Sequence, residues 1–136
     1  MREFWDSWSP RVLSILRIIV GFLFLWHGSQ KLFGFPPSPQ AGPLQPLMVF
    51  GGILEFFGGL LILIGLFTRW TAFILCGMMA VAYWMVHGTS GKGFLPLMNG
   101  GELAVVYCFV FLYLFFAGGG EWSVDNLIGK RSFNAE

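Results

Sequence analysis

Apolar residues run along this chain in four long blocks, set apart by short stretches of glycine, proline and polar side chains. The blocks cover residues 12–33, 47–67, 70–87 and 102–118. At 1.5 Å per residue, about 17–22 helical residues span a hydrocarbon layer about 30 Å thick. Backbone polar groups in lipid must be paired within the segment, so each block is predicted to be a helix. Residues 1–136 then form one all-α domain, a four-helix transmembrane bundle.

The breaks support that division. Residues 34–46 (GFPPSPQAGPLQP) carry too much proline to be helical throughout. Thr68-Arg69 is a tight turn, which makes the second and third helices antiparallel neighbours. Residues 87–101 (HGTSGKGFLPLMNGG) form a second Gly-rich loop, and Gly118-Gly119-Gly120 stops the fourth helix. A short tail follows. No small-x-small cleavage site follows the first block, so it is expected to stay as a membrane helix.

Composition agrees. The chain is 56% hydrophobic and 11% charged, with 16 Phe and 6 Trp; soluble domains carry about 25% charged residues. The lipid bilayer is therefore the main partner. A net charge of +1 gives no basic field for nucleic acid. Arg2, Arg11, Arg69, Lys130 and Arg131 gather on one side, with Arg17 just inside it, against Lys31 and Lys92 on the other. The positive-inside rule puts both termini in the cytoplasm and the Pro/Gly-rich loops outside. Trp5, Trp8, Trp70 and Trp122 then fall at the inner interface, Trp26 and Trp84 near the outer one.

Ionisable residues inside such blocks cost about 2.5–3.5 kcal/mol each on insertion scales, so each needs a reason. Counted by helical rise, His27, Lys31, Glu55, His87, Asn99 and Glu102 all fall in the outer half of the bundle. His27 and Lys31 share a face, being four apart. Glu55 shares one with Gly51, Gly58, Gly59 and Ile62, small enough to let a neighbour approach. Tyr83 points a hydroxyl toward the same level. His27 and Glu55 are the candidate proton-transferring pair, or a plain structural hydrogen bond; Lys31, Tyr83, His87, Asn99 and Glu102 are the candidate pocket residues. Each has a plainer reading. Lys31 can snorkel to the interface, Glu102 suits a helix N-terminus, and His87 suits a helix C-terminus. Arg17 is expected to make a structural ion pair with Asp125, or with Glu121, beyond the fourth helix.

Two His and two carboxylates could hold a metal, but their spacing is no motif, and no metal site is expected. Cys76 and Cys108 make no C-x-x-C and are read as small apolar residues rather than a disulfide. No nucleotide loop, dinucleotide fingerprint or Ser-His-Asp signature is present.

The segments WHGSQKLFG, GGILEFFGGLLILIGLFTRW, NGGELAVVY and GGGEWSVD resemble the DoxX family of bacterial membrane proteins, with Gly119 standing where a proline is common. The matching positions include Arg17, Gly21, His27, Gly28, Lys31, Glu55, Gly58, Gly59, Gly65, Arg69, Asn99, Gly100, Glu102, Ser123 and Asp125. The resemblance implies a four-helix inner-membrane protein. Some relatives are named as a thiosulfate:quinone oxidoreductase subunit, and many bear only an oxidoreductase label. It therefore points to a quinone-linked redox subunit with no covalently bound cofactor and a redox partner subunit. Two alternatives stand beside it: a non-catalytic partner that anchors another enzyme, and a small-molecule or proton carrier, which at this length needs a homo-oligomer.

Overall fold

The computed structural model describes residues 1–39 and 42–133. Among them the chain is helical, with no strand: α1 (Arg2–Phe33), α2 (Pro46–Ile64), α3 (Thr68–Ala82), α4 (Pro96–Asn99), α5 (Glu102–Ala117) and α6 (Val124–Phe133). A π-helical turn, Tyr83–Gly88, carries α3 onward. Three segments are long and apolar enough to cross a membrane, namely α1, α2 and Thr68–Gly88; α5 is as apolar but has only 16 residues.

The boundaries differ from the hydropathy blocks for local reasons. Helix α1 starts ten residues before its apolar block, because the Trp-rich segment ahead of it is helical despite its polar residues and Pro10. Helix α2 stops at Ile64, where Gly65 turns left-handed (φ 74°) and passes its N–H back to Leu61 and Ile62. Phe67 is also left-handed (φ 50°), so a three-residue corner replaces the turn expected at Thr68-Arg69. The loop between the π turn and α5 contains the short α4, and the tail is the helix α6.

Helix α1 packs closely along α2, and α3 along α5; α2 and α3 touch much less. Glycine sets the first pairing. A Cβ at Gly21 would stand 2.5 Å from the Leu63 nitrogen, and one at Gly59 2.7 Å from that of Leu25. At about 100° per residue, Gly52 and Gly59 make one stripe down α2, and Gly51 and Gly58 a second about 100° away. Glu55 falls between the stripes. The first lies against α1: Gly59 meets the backbone of Leu25, and Gly52 the side chains of Lys31 and Leu32. The second faces α3, where Gly58 meets Leu75 and Gly51 meets Met78. The two helix pairs are joined by a core of Val20, Phe24, Ile62, Ala72, Leu75, Met79, Tyr107, Phe111 and Leu114. Phe24 anchors it, its ring 4.9 Å from Phe111 and 5.0 Å from Tyr107, both edge-on.

At the end where α2 turns into α3, helix termini are satisfied by side chains from distant positions. Arg17 is fully buried. Its Nε donates to the Gly119 carbonyl at 2.7 Å, Nη1 to Ile62 (2.6 Å) and Leu63 (2.5 Å), and Nη2 to Trp122 (2.6 Å). The expected Arg17–Asp125 ion pair does not form; among the described residues Glu121 pairs instead with Arg11 at 3.1 Å. The carbonyls of Ile62 and Leu63 belong to the last turn of α2, so a guanidinium there meets both free acceptors and the negative end of the helix dipole. Arg69 does the same for α5 through Phe115 and Phe116. Asp125 instead accepts the N–H groups of Phe67 and Thr68, each at 2.8 Å, and so caps α3 from the far end of the chain. Asp125→Ala should therefore lower stability by about 1–2 kcal/mol, with Asp125→Asn falling between. Unfolding midpoints of the detergent-solubilised protein would read this; unchanged midpoints would show that the cap contributes nothing.

Candidate functional site

The polar residues expected in the outer half separate into two groups. The first is an ion pair. Lys31, in the last turn of α1, donates from Nζ to Glu55 Oε1 at 2.6 Å. The Lys31 side chain is 34% exposed and that of Glu55 only 5%. Gly28, one turn before Lys31, lets α1 approach α2 at Phe56, the residue after Glu55. The glycine crossing thus delivers the lysine to the carboxylate. The second oxygen, Glu55 Oε2, is buried and has no hydrogen-bond partner among the described residues. Carboxylate oxygens left so are costly and uncommon.

The pair lies at a cleft of about 400 Å³ between α2 and α3. Its walls are apolar: Leu47, Met48, Phe50 and Leu54 from α2, with Ile74, Met78, Val81 and Ala82 from α3 and Met85 and Val86 from the π turn. Most of these side chains are exposed on the outside of the bundle. Helices α2 and α3 touch at few positions, among them Gly58 against Leu75 and Gly51 against Met78. It is an apolar slot whose only charged lining, among the described residues, is Lys31 and Glu55.

The second group is a clamp on the outer loop. Tyr83 donates its hydroxyl to the Phe94 carbonyl and accepts from Asn99 Nδ2 at 3.2 Å. Asn99 Nδ2 also donates to Gly93 O at 3.1 Å, and Asn99 Oδ1 accepts from Gly101 N at 2.9 Å. His87 Nδ1 lies 3.1 Å from the Asn99 carbonyl, and its ring stacks on Tyr83. These residues tie residues 89–101 to the π turn, away from the cleft. Glu102 stands exposed in the first turn of α5.

Residues that share a depth are therefore not one cluster. Among the described residues Glu55 is hydrogen-bonded to Lys31, not to His27, whose ring packs edge-on against Tyr107 at 6.0 Å. The reason is azimuth: His27 faces the α5 side of α1, toward the aromatic core. Tyr107 was not singled out by its sequence, yet it is buried beside Phe24 and lies within electrostatic range of Glu55. A phenol in the middle of an apolar block was the signal available. Among the described residues no three His, Cys, Asp or Glu side chains come together to hold a metal ion.

The sequence pattern that defines DoxX matches residues 12–88, which carry α1 through the π turn and both members of the ion pair. The chain belongs to the DoxX family. It is 41% identical over 131 residues to an uncharacterized protein of Haemophilus influenzae, covering 93% of this chain and 97% of that one. It is 32% identical to the inner membrane protein YqjF of Escherichia coli, over 86% of this chain and 92% of that one. A membrane protein of Mycobacterium tuberculosis is 30% identical, over 91% and 85%. No solved structure matches the chain. Family, relatives and apolar helices together make this DoxX member a multi-pass inner-membrane protein.

Proposed function

We propose that this DoxX protein binds the polar head of a membrane-soluble molecule in the α2–α3 cleft, and that the molecule is a quinone serving a redox partner subunit. In the same reading α5 is the fourth span and both termini are cytoplasmic. The observation that carries the reading is the buried, unpartnered Glu55 Oε2 beside Lys31 in an apolar cleft. The cleft volume falls within the about 300–1,000 Å³ of small-molecule sites. Bound there, a quinone supplies two-electron, two-proton chemistry.

The residues fit that task. Lys31 keeps N–H donors beyond the one held by Glu55, and these can reach a ligand carbonyl oxygen. The Glu55 carboxylate at the cleft can accept an O–H, or return a proton to that oxygen, as a general base or acid. Partial exposure of Lys31 gives the pair a route for protons to water. The apolar walls hold the ring and tail. His27 does not line the cleft, so the acid–base role rests on Glu55 with Lys31 rather than on the His27–Glu55 pair.

Titrating a short-tailed ubiquinone analogue into the protein in lipid nanodiscs, read by tryptophan quenching, tests this. Wild type and His27→Ala should bind alike. Glu55→Gln should weaken binding about tenfold, the equivalent of about 1.4 kcal/mol. Equal affinity in wild type and Glu55→Gln would contradict the reading.

A further inference from the structure

The two cysteines are far apart in sequence but meet in space. Cys76 on α3 and Cys108 on α5 place their sulfurs 3.7 Å apart, both as free thiols and both partly buried. Counted by helical rise, Cys76 stands about 12 Å from the start of α3 and Cys108 about 13 Å from the end of α5. They share a depth near the middle of α5, on one of the two tightly packed helix pairs. Both cysteines are partly exposed, and Phe73, one turn before Cys76, and Phe109, next to Cys108, are exposed on the outer surface of the bundle. The sulfurs therefore sit on a seam open to lipid. Around α3 the cleft residues Ile74, Met78, Val81 and Met85 lie on the opposite face, about 140–200° from Cys76.

We propose that Cys76 and Cys108 form a redox-active dithiol, oxidised to a disulfide by a quinone dissolved in the bilayer. Closing the sulfurs from 3.7 Å to an S–S bond of about 2.05 Å needs a shift under about 1 Å for each. That is within the reach of small side-chain rotations, with α3 and α5 left in place. The balance is complete. Two S–H bonds break and one S–S bond forms. The two electrons and two protons pass to the two quinone oxygens, giving one quinol. The aqueous thiols that keep cytosolic cysteines reduced do not reach a seam at this depth, so the couple answers to the membrane pool. This inference rests on the thiol geometry alone and does not depend on the cleft.

The test uses the whole protein, reduced, in nanodiscs, with a fully substituted short-tailed benzoquinone as probe. One quinol should form per chain, seen by absorbance. The intact mass should fall by two hydrogens, and a single cross-linked peptide pair should contain Cys76 and Cys108. A membrane-permeant phosphine should restore both thiols. Cys76→Ser and Cys108→Ser should each abolish quinol formation. Two thiols still open to alkylation after quinone treatment would overturn the proposal. So would a quinone–thioether adduct, or a disulfide between chains.

Discussion

Arg17→Ala is expected to be the most damaging single substitution in this protein, lowering stability by at least about 3 kcal/mol. The guanidinium is fully buried and donates to four backbone carbonyls on two separate segments, the end of α2 and the Gly119–Trp122 stretch. An alanine would remove the donor from all four, leaving only Ile62, among the described residues, with its bond from the Gly65 N–H. Each buried unsatisfied group costs about 1–3 kcal/mol. It would also expose the dipole at the end of α2 and release the Gly119–Trp122 segment from the bundle. Arg17→Lys keeps the charge but has one nitrogen where the fork had three, so it should recover only about half of the loss. Denaturant titration in detergent checks this, and an Arg17→Ala midpoint equal to wild type would rule it out.

Gly28→Ala comes next. An added Cβ there would lie 2.7 Å from both the Gly52 carbonyl oxygen and the Phe56 Cα, and closer still to the Phe56 nitrogen. All three are backbone atoms, which cannot rotate away, so α1 and α2 must separate. Overpacking of this kind costs about 1–3 kcal/mol and sometimes more, and the backbone contacts put this site at the upper end. Lys31 lies one turn on, so the same shift should lengthen its bond to Glu55. Gly77→Ala is the matched comparison, because a Cβ there meets nothing within 4 Å. That change should be neutral or slightly stabilising, since alanine suits a helix better than glycine. Equal midpoints for the two variants would show that the crossing is not set by close backbone approach.

Hydropathy made the long apolar helices readable, and helical rise the level of each polar residue along them. They could not give azimuth, and azimuth decided the site. His27 and Glu55 share a level, but α1 turns His27 toward Tyr107 and brings Lys31, one turn further on, to the carboxylate. The glycines of α2 were readable as an approach surface. That they form two stripes, one for α1 and one for α3, with Glu55 between them, appears only once both neighbours are placed. Asp125 was expected to pair with Arg17 because opposite charges attract. Arg17 faces the carbonyls at the end of α2 and in the Gly119–Trp122 stretch, and Asp125 faces N–H groups at the start of α3. At that end the free backbone groups of helix termini, invisible to a count of charges, took both side chains. Helix α6 and the helical start of α1 were missed because polar segments give no hydropathy signal.

The central claim is that the α2–α3 cleft holds a membrane-soluble molecule by its polar head. Native mass spectrometry of the protein, extracted mildly from its own membrane, tests it most directly. Glu55→Gln removes the charged acceptor, and Val81→Trp fills the cleft from its exposed wall. Wild type should carry one amphiphile with a hydrogen-bonding head, identified by fragmentation as a quinone, and both folded variants should lose it. Wild type carrying only bulk phospholipid, or all three proteins carrying the same molecule, would contradict the account.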